Sequence, residues 1–268
     1  MTGDDCVGYG MRHGQLLSIA EVQRGLSCGC TCVSCGKALI AKKGIVRRHH
    51  FAHYEATSCS GAAESALHLL AKELISRFDE IDLPVYQFRR TRSIKGGGAV
   101  KCDERIVKGG RVGIQRAWIE RNEGDVIADI VIESNGKPLI IEVAVTHKVA
   151  RDKLRKLRQR NIPAIEIRLH PEDSFLSRED LLSKLQQDLK IKHWLFHPKQ
   201  REHEGRFTSL VREALAAARM RKAGLPVPEL RRGVTLLKPY DRLSLQPGHP
   251  RMSGWARNFG ESTVGTHH

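Results

Sequence analysis

Apolar positions along the chain mark out a helix, a run of strands and a second helix. Leu67, Leu70, Ala71, Leu74, Ile75 and Phe78 recur at helical spacing, which predicts a helix over Glu64–Phe78 that stops short of Pro84. Apolar runs predict strands at 117–121, 126–133 and 138–145, and another at 164–169 behind Pro163. An amphipathic segment at 149–161 reads as a helix between the last two. The order α, β, β, β, α, β is that of a mixed α/β (α+β) domain. A further helix is expected at 178–189, and Leu16–Val22 reads as a short strand. Residues 89–116 hold nine basic side chains, two acidic ones and several glycines, and read as a long basic loop or loose hairpin. Past residue 193 stand six of the ten prolines, with 13 basic residues against 6 acidic, so an extended basic tail with one helix at 208–222 is expected. The chain thus divides as 1–62, 63–192 and 193–268.

Charge and cysteine placement add chemistry to this outline. Lys and Arg number 45 against 30 Asp and Glu, a formal charge of +15 over 268 residues. Such an excess points to a polyanionic partner, nucleic acid first. No apolar run reaches the roughly 18–20 residues of a membrane span, and the first residues lack a signal-peptide pattern. A cytoplasmic protein with no membrane partner is expected; the oligomeric state stays open. Of seven cysteines, Cys28, Cys30, Cys32 and Cys35 lie within eight residues, with Cys59 close behind. In a reducing compartment that clustering reads as metal binding rather than disulfides.

Cys32-x-x-Cys35-Gly36 sets two thiolates over one tight turn, and His50 and His53 offer imidazoles at the same spacing. Soft thiolate and imidazole donors select zinc over magnesium or calcium. The expected ligands are Cys32, Cys35, His53 and Cys59, with His50 next and Cys28 or Cys30 as substitutes for Cys59. Four protein ligands close a zinc site, so this metal is expected to be structural.

The second constellation is carboxylic. Asn135-Gly136 between two apolar runs predicts a two-residue type I′ hairpin, in which Ser134 faces Lys137. Continued from there, the pairing sets Asp129 opposite Glu142 on one face of the sheet. Like charges so placed destabilise a sheet. A divalent cation shared by both carboxylates, Mg²⁺ or Mn²⁺, removes that conflict. On the first helix Glu64, His68 and Lys72 form a polar stripe beside the apolar face.

Read together, Cys32-x-x-Cys35-Gly36, Leu39-Ile-Ala-Lys-Lys-Gly44, His50-Phe-Ala-His53, Cys59, Glu64-Ser-x-x-His68-x-x-Ala-Lys72, Ala128-Asp129-Ile and Ile141-Glu142-Val-x-Val-Thr-His147 resemble the competence protein CoiA-like family over about residues 26–170. The resemblance implies a zinc-ribbon-like N-terminal module, a PD-(D/E)xK restriction-endonuclease-like αβββαβ core and a basic C-terminal tail. It further implies a Mg²⁺- or Mn²⁺-dependent deoxyribonuclease in DNA uptake, phage defence or mobile-element biology. Asp129 and Glu142 would hold the catalytic metal, with Glu64 in support and His68 beside them. One position departs from the pattern: the signature lysine two residues after the acid is Ala144 here. His147 or Lys153, from the start of the next helix, is the expected replacement. Arg89, Arg90, Lys148, Arg155, Lys156 and Lys72 are candidate phosphate contacts, as are Lys37, Lys42, Lys43, Arg47 and Arg48 of the N-terminal module. Ala144 favours one rival reading, a catalytically inactive zinc-containing nucleic-acid-binding protein; the Pro-rich stretch 224–250 supports another, an interaction subunit.

Overall fold

A computed structural model describes residues 6–55, 59, 61–95, 98–227 and 234–235. In chain order the strands and helices are β1 (Tyr9–Arg12), β2 (Gln15–Ser18), β3 (Leu39–Lys42), β4 (His50–His53), α1 (Ala62–Ile75), β5 (Glu80–Leu83), β6 (Tyr86–Ser93), β7 (Ala99–Val107), β8 (Gly110–Gly113), β9 (Arg116–Asn122), β10 (Ile127–Ser134), β11 (Lys137–Ala144), α2 (Arg151–Arg160), β12 (Ala164–Arg168), α3 (Arg178–Gln187), β13 (Lys192–Phe196), α4 (Gln200–Lys222) and β14 (Val234–Thr235). The architecture is mixed α/β. Among the described residues, those up to Arg90 with Cys102–Ser209 form one compact unit, and those of Thr91–Lys101 with those from Leu210 form another.

The first unit is built on a five-stranded sheet ordered β13-β12-β11-β10-β9. Its β10–β11 hairpin turns at Asn135 and Gly136, whose φ angles of 50° and 69° are those a type I′ turn demands. Ser134 faces Lys137 and the register runs to Ile130 opposite Ile141, as the sequence predicts. β11 and β12 are parallel, and the return between them is α2. The helix α1 consists of strong helix formers and buries Ala66, Leu67, Leu70, Ala71 and Ile75. Its stripe packs on one sheet face, where Ile130, Ile132 and Ile141 point. Leu157 of α2 covers the other face against Val131, Ile140 and Ala164. The segment before α1 is not a free-standing module. Tyr9, Leu39 and Phe51 are buried in the same core as α1, and Tyr9 Oη donates to Leu176 O at 2.9 Å.

Several expectations change. Of the two readings of residues 89–116 the hairpin holds and the loop does not: β6 and β7 are neighbours in one sheet, and β8 pairs with β5. Phe88 of β6 and Cys102 and Ile106 of β7 share a small core. The sheet extends beyond residue 192, because β13 adds an edge strand in which Phe196 is buried and Trp194 Nε1 donates to Pro84 O at 2.9 Å. The helix expected at 208–222 begins at Gln200. Leu16–Val22 splits into β2 and a 3-10 turn at Ile19–Glu21. The second unit contains the pairing of Val234 and Thr235 with Val100 and Ala99. Apart from those two residues, the tail past 227 lies outside the described residues, and so does the Pro-rich stretch but for its first residues. No helix among the described residues is long and apolar enough to cross a membrane.

Candidate metal centres

Three cysteines and a histidine meet in the N-terminal segment. The ligating atoms of Cys32, Cys35, His53 and Cys59 all lie within 4.8 Å of one another. Cys32 Sγ is 3.9 Å from Cys59 Sγ, and Cys35 Sγ is 3.2 Å from His53 Nε2. The edge of a tetrahedron with Zn–S bonds of about 2.3 Å is ~3.8 Å, so the cluster could hold a metal ion such as zinc. The turn at Gly36, φ 72°, brings Cys35 back over Cys32. The antiparallel pair β3–β4 delivers His53 opposite Leu39. The backbone N–H of Lys37 is the main cause that lowers the Cys35 thiol to about 7, whereas burial raises Cys32 to about 11. These are the four residues first expected. His50 is not with them, because its Nδ1 is 2.8 Å from Arg48 O. Cys28 and Cys30 are core side chains instead, 0% and 2% exposed, and Cys28 Sγ donates to Leu39 O at 3.2 Å.

The carboxylates sit where the central ladder ends. Extended by one pair, the hairpin register would set Asp129 opposite Glu142, but the ladder stops at Ile130 and Ile141. The N–H of Val143 goes instead to Asp129 Oδ2 at 2.9 Å. On the other side, β9 and β10 pair at Ala128–Arg121 and Ile130–Ile119 but not between them, and Glu120, opposite Asp129, has φ 51°. A non-glycine residue in that region is strained and persists only when its surroundings hold it. The Glu120 side chain pairs with Lys72, whose Nζ is 2.7 Å from Glu120 Oε1. Lys72 is 5% exposed and committed to this pair, so it is not displayed for phosphate contact, contrary to expectation.

His68 Nε2 lies 3.1 Å from Asp129 Oδ2. An ionised carboxylate only accepts, so this nitrogen carries the hydrogen. Burial would raise Asp129, but the bonds from His68 and the Val143 N–H outweigh it and lower the carboxyl to about 2. Glu142 goes the other way. Burial first, and the neighbouring Asp129 second, raise it to about 7 despite Lys153. The residue is 2% exposed, and its Oε1 is buried without a hydrogen-bond partner. Its Oε2 accepts from Lys153 Nζ at 2.5 Å. Lys153 stands in the first turn of α2, so an ammonium reaches the acid from the helix and not from position 144, where Ala144 is buried.

Glu64 stands one turn before His68 and accepts from Thr146 Oγ1, the main cause that holds its carboxyl low. His147 Nδ1 is 3.6 Å from Glu64 Oε1 and 2.7 Å from Thr146 Oγ1. His147 is therefore on the Glu64 side, and Lys153 alone of the two candidates reaches Glu142. Sequence reasoning missed Thr146, Glu120 and Glu166. Glu166 is 1% exposed, lies beside Glu142 in the parallel pair, and accepts from Val149 N at 2.7 Å, which pins the turn into α2. The only cue to it was an acid inside the apolar run Ala164–Leu169.

The remaining basic candidates are scattered. Lys148 is exposed. Arg155 and Lys156 pair with Asp152 at 2.6 and 3.5 Å. Arg89 pairs with Asp103 at 3.3 Å, and Arg90 lies over the Phe88 ring. A cleft of about 370 Å³ opens between Glu64 and Thr146 on one wall and Arg47, Arg48, His50 and Phe175 on the other.

Residues 18–62 match the family model for competence protein CoiA, N-terminal domain, which supports the CoiA-like assignment. The match holds the whole Cys3His cluster and ends at the first residue of α1, ahead of Glu64, Asp129 and Glu142. No curated protein and no solved structure matches the chain.

Proposed function

We propose that this chain, carrying a CoiA-type N-terminal domain, is a metal-dependent nuclease that hydrolyses phosphodiester bonds in nucleic acid, DNA foremost. The observation that carries the reading is the Asp129–Glu142 pair at the end of a broken ladder. Two carboxylates share a buried site, one ionised far below the usual range and one pushed to about 7 with an oxygen left unbonded. A buried charge without full pairing destabilises, and costs of this kind concentrate at sites that bind a ligand or carry a reaction. The all-oxygen donor set fits Mg²⁺ or Mn²⁺ rather than a soft metal. Asp129 and Glu142 would hold such an ion, which, when bound, supplies a water of lowered pKa and polarises a phosphate oxygen.

The chain's own groups do the rest. His68 donates to Asp129 and fixes its orientation, leaving the second oxygen for the ligand. Val143 N–H holds the same carboxylate from behind. Lys153 places a positive charge at Glu142, where it can offset negative charge developing on the phosphate. Glu64 and Thr146 present oxygens one helical turn away, toward the cleft, where they can orient water or sugar. In the same reading Cys32, Cys35, His53 and Cys59 bind zinc as a closed, structural site.

Ala144 favours the alternative of an inactive binding protein. Cleavage assays on single- and double-stranded DNA and RNA in Mg²⁺, Mn²⁺ or EDTA decide between them. The nuclease reading expects metal-dependent cutting that Asp129→Asn and Glu142→Gln each abolish while binding persists. Binding by the wild type with no cutting in any metal would leave the binding protein.

A further inference from the structure

The loop between β3 and β4, residues 43–49, carries at its tip the two most exposed large apolar side chains among the described residues. Ile45 is 104% exposed and Val46 91%. Single exposed aliphatics are ordinary, but two adjacent ones this exposed, in a loop held at both ends by a paired sheet, form a projection. Lys42 and Lys43 precede them and Arg47 and Arg48 follow. The base of the projection is fixed. Lys43 Nζ donates to Val22 O and, at 3.1 Å, to Ala20 O. Arg48 is clamped by Glu172 at 2.7 Å and lies 4.7 Å from the centre of the Phe175 ring. Directly at this base opens the cleft of about 370 Å³ whose far wall is Glu64 and Thr146.

We propose that this tip is a wedge that enters a base step at the end or junction of a duplex and turns one strand into the cleft, so that the substrate is a frayed or branched duplex processed through a single strand. The inference rests on the nuclease reading and adds its substrate class. Apolar wedges between bases are a known way to unstack and kink a duplex, with flanking cations on the phosphates. Transferring two aliphatic side chains out of water is of the same order as the cost of opening one base step. The charge around the tip selects a polyanion, and the cleft at its foot, about 370 Å³ in volume, is lined by Arg47 and His50, which can meet the phosphates of one strand. A protein partner would explain the apolar pair but not Lys42 and Arg47 on either side of it or the path to Glu64.

The test uses the full chain in EDTA, with 2-aminopurine set beside a single-strand/double-strand junction as the probe of unstacking. Wild type is expected to raise the fluorescence. Ile45→Ser/Val46→Ser, at positions that bury nothing, is expected to need about tenfold more protein for the same rise, with its circular dichroism and its affinity for a single strand unchanged. Arg47→Ala/Arg48→Ala is expected to weaken both. An equal rise from the tip variant, or no rise from wild type bound to the junction, overturns the wedge. So does a tip that binds phosphatidylglycerol vesicles while leaving the junction stacked. Adding Mg²⁺ then separates this proposal from the reading it rests on. Cutting without unstacking defeats the wedge alone, and unstacking without cutting defeats the nuclease alone.

Discussion

Replacing Glu142 with Gln tests the carboxylate site through stability, without any appeal to activity. The side chain is 2% exposed and its carboxyl is raised from 4.5 to about 7. Between those values the folded chain keeps a proton that the unfolded chain has released. Stability therefore falls as pH rises through that window, and above about 7 the full cost of the buried charge is present. At about 1.4 kcal/mol per pH unit, the distance from 4.5 to about 7 corresponds to roughly 3 kcal/mol. Gln has the same shape and no charge, and its carbonyl oxygen can still accept from Lys153, which is partly exposed and can also turn to solvent. Glu142→Gln is thus expected to match wild type near pH 4.5 and to exceed it by about 2–3 kcal/mol at pH 8, in EDTA. Urea denaturation of both proteins from about pH 5 to about pH 8 measures this, because the other titrating groups cancel in the difference. With Mg²⁺ at about 100 times its dissociation constant, wild type should recover some 2.7 kcal/mol and the variant little. Parallel stability–pH curves for the two proteins would refute the reasoning, since Glu142 would then carry no penalty for its charge.

Asp129 has the opposite sign: held at about 2, it stabilises above 3.8, and that contribution of roughly 2 kcal/mol is lost as pH falls toward 2. Asp129→Asn should flatten the acid limb of the stability curve measured by circular dichroism. The purified protein should carry about one zinc per chain by elemental analysis, and Cys32→Ser or Cys35→Ser should lose it and become protease-sensitive from the N-terminal segment inward. Lys72→Met keeps the buried stem and frees Glu120, so nucleic-acid affinity should change little and its dependence on salt not at all; a shallower salt slope by titration would mean Lys72 does meet phosphate. Truncation after residue 193 should unfold the chain and not merely weaken binding, because it removes the edge strand holding Trp194 and Phe196; a folded truncated protein by circular dichroism would contradict that.

What could be read from the residues alone follows the strength of local signals. The Asn135-Gly136 turn set a register that holds to Ile130 and Ile141, since both central residues take the positive φ that the turn type needs. The four zinc-type ligands were legible because a tight turn and a strand pair bring them together locally. The β6–β8 segment was legible only as one of two readings, a loose hairpin, because its arginines and glycines mask the alternation of Val100, Cys102 and Ile106, which was nonetheless present. Glu120 and Lys72 could not be paired from sequence, because a strained φ in the middle of a strand has no residue signature unless glycine supplies it. The assignment of Lys153 over His147 likewise depended on where α2 begins, a boundary that periodicity leaves loose by a residue or two.

The approach of Lys153 to Glu142 from α2 has a consequence for how such chains are found and how they diverge. In the nuclease reading, an ammonium supplied by a helix releases position 144 from chemical duty and leaves it to packing, which Ala144 satisfies at 6% exposure. A pattern that demands lysine two places after the acid rejects this chain, although the Lys153 ammonium stands 2.5 Å from Glu142 Oε2. A positive charge beside Glu142 is a point in space that two different backbone elements can reach. Relatives that have drifted along this route would share the carboxylates and the first turn of α2, and would be gathered by a template written in distances sooner than by one written in sequence order.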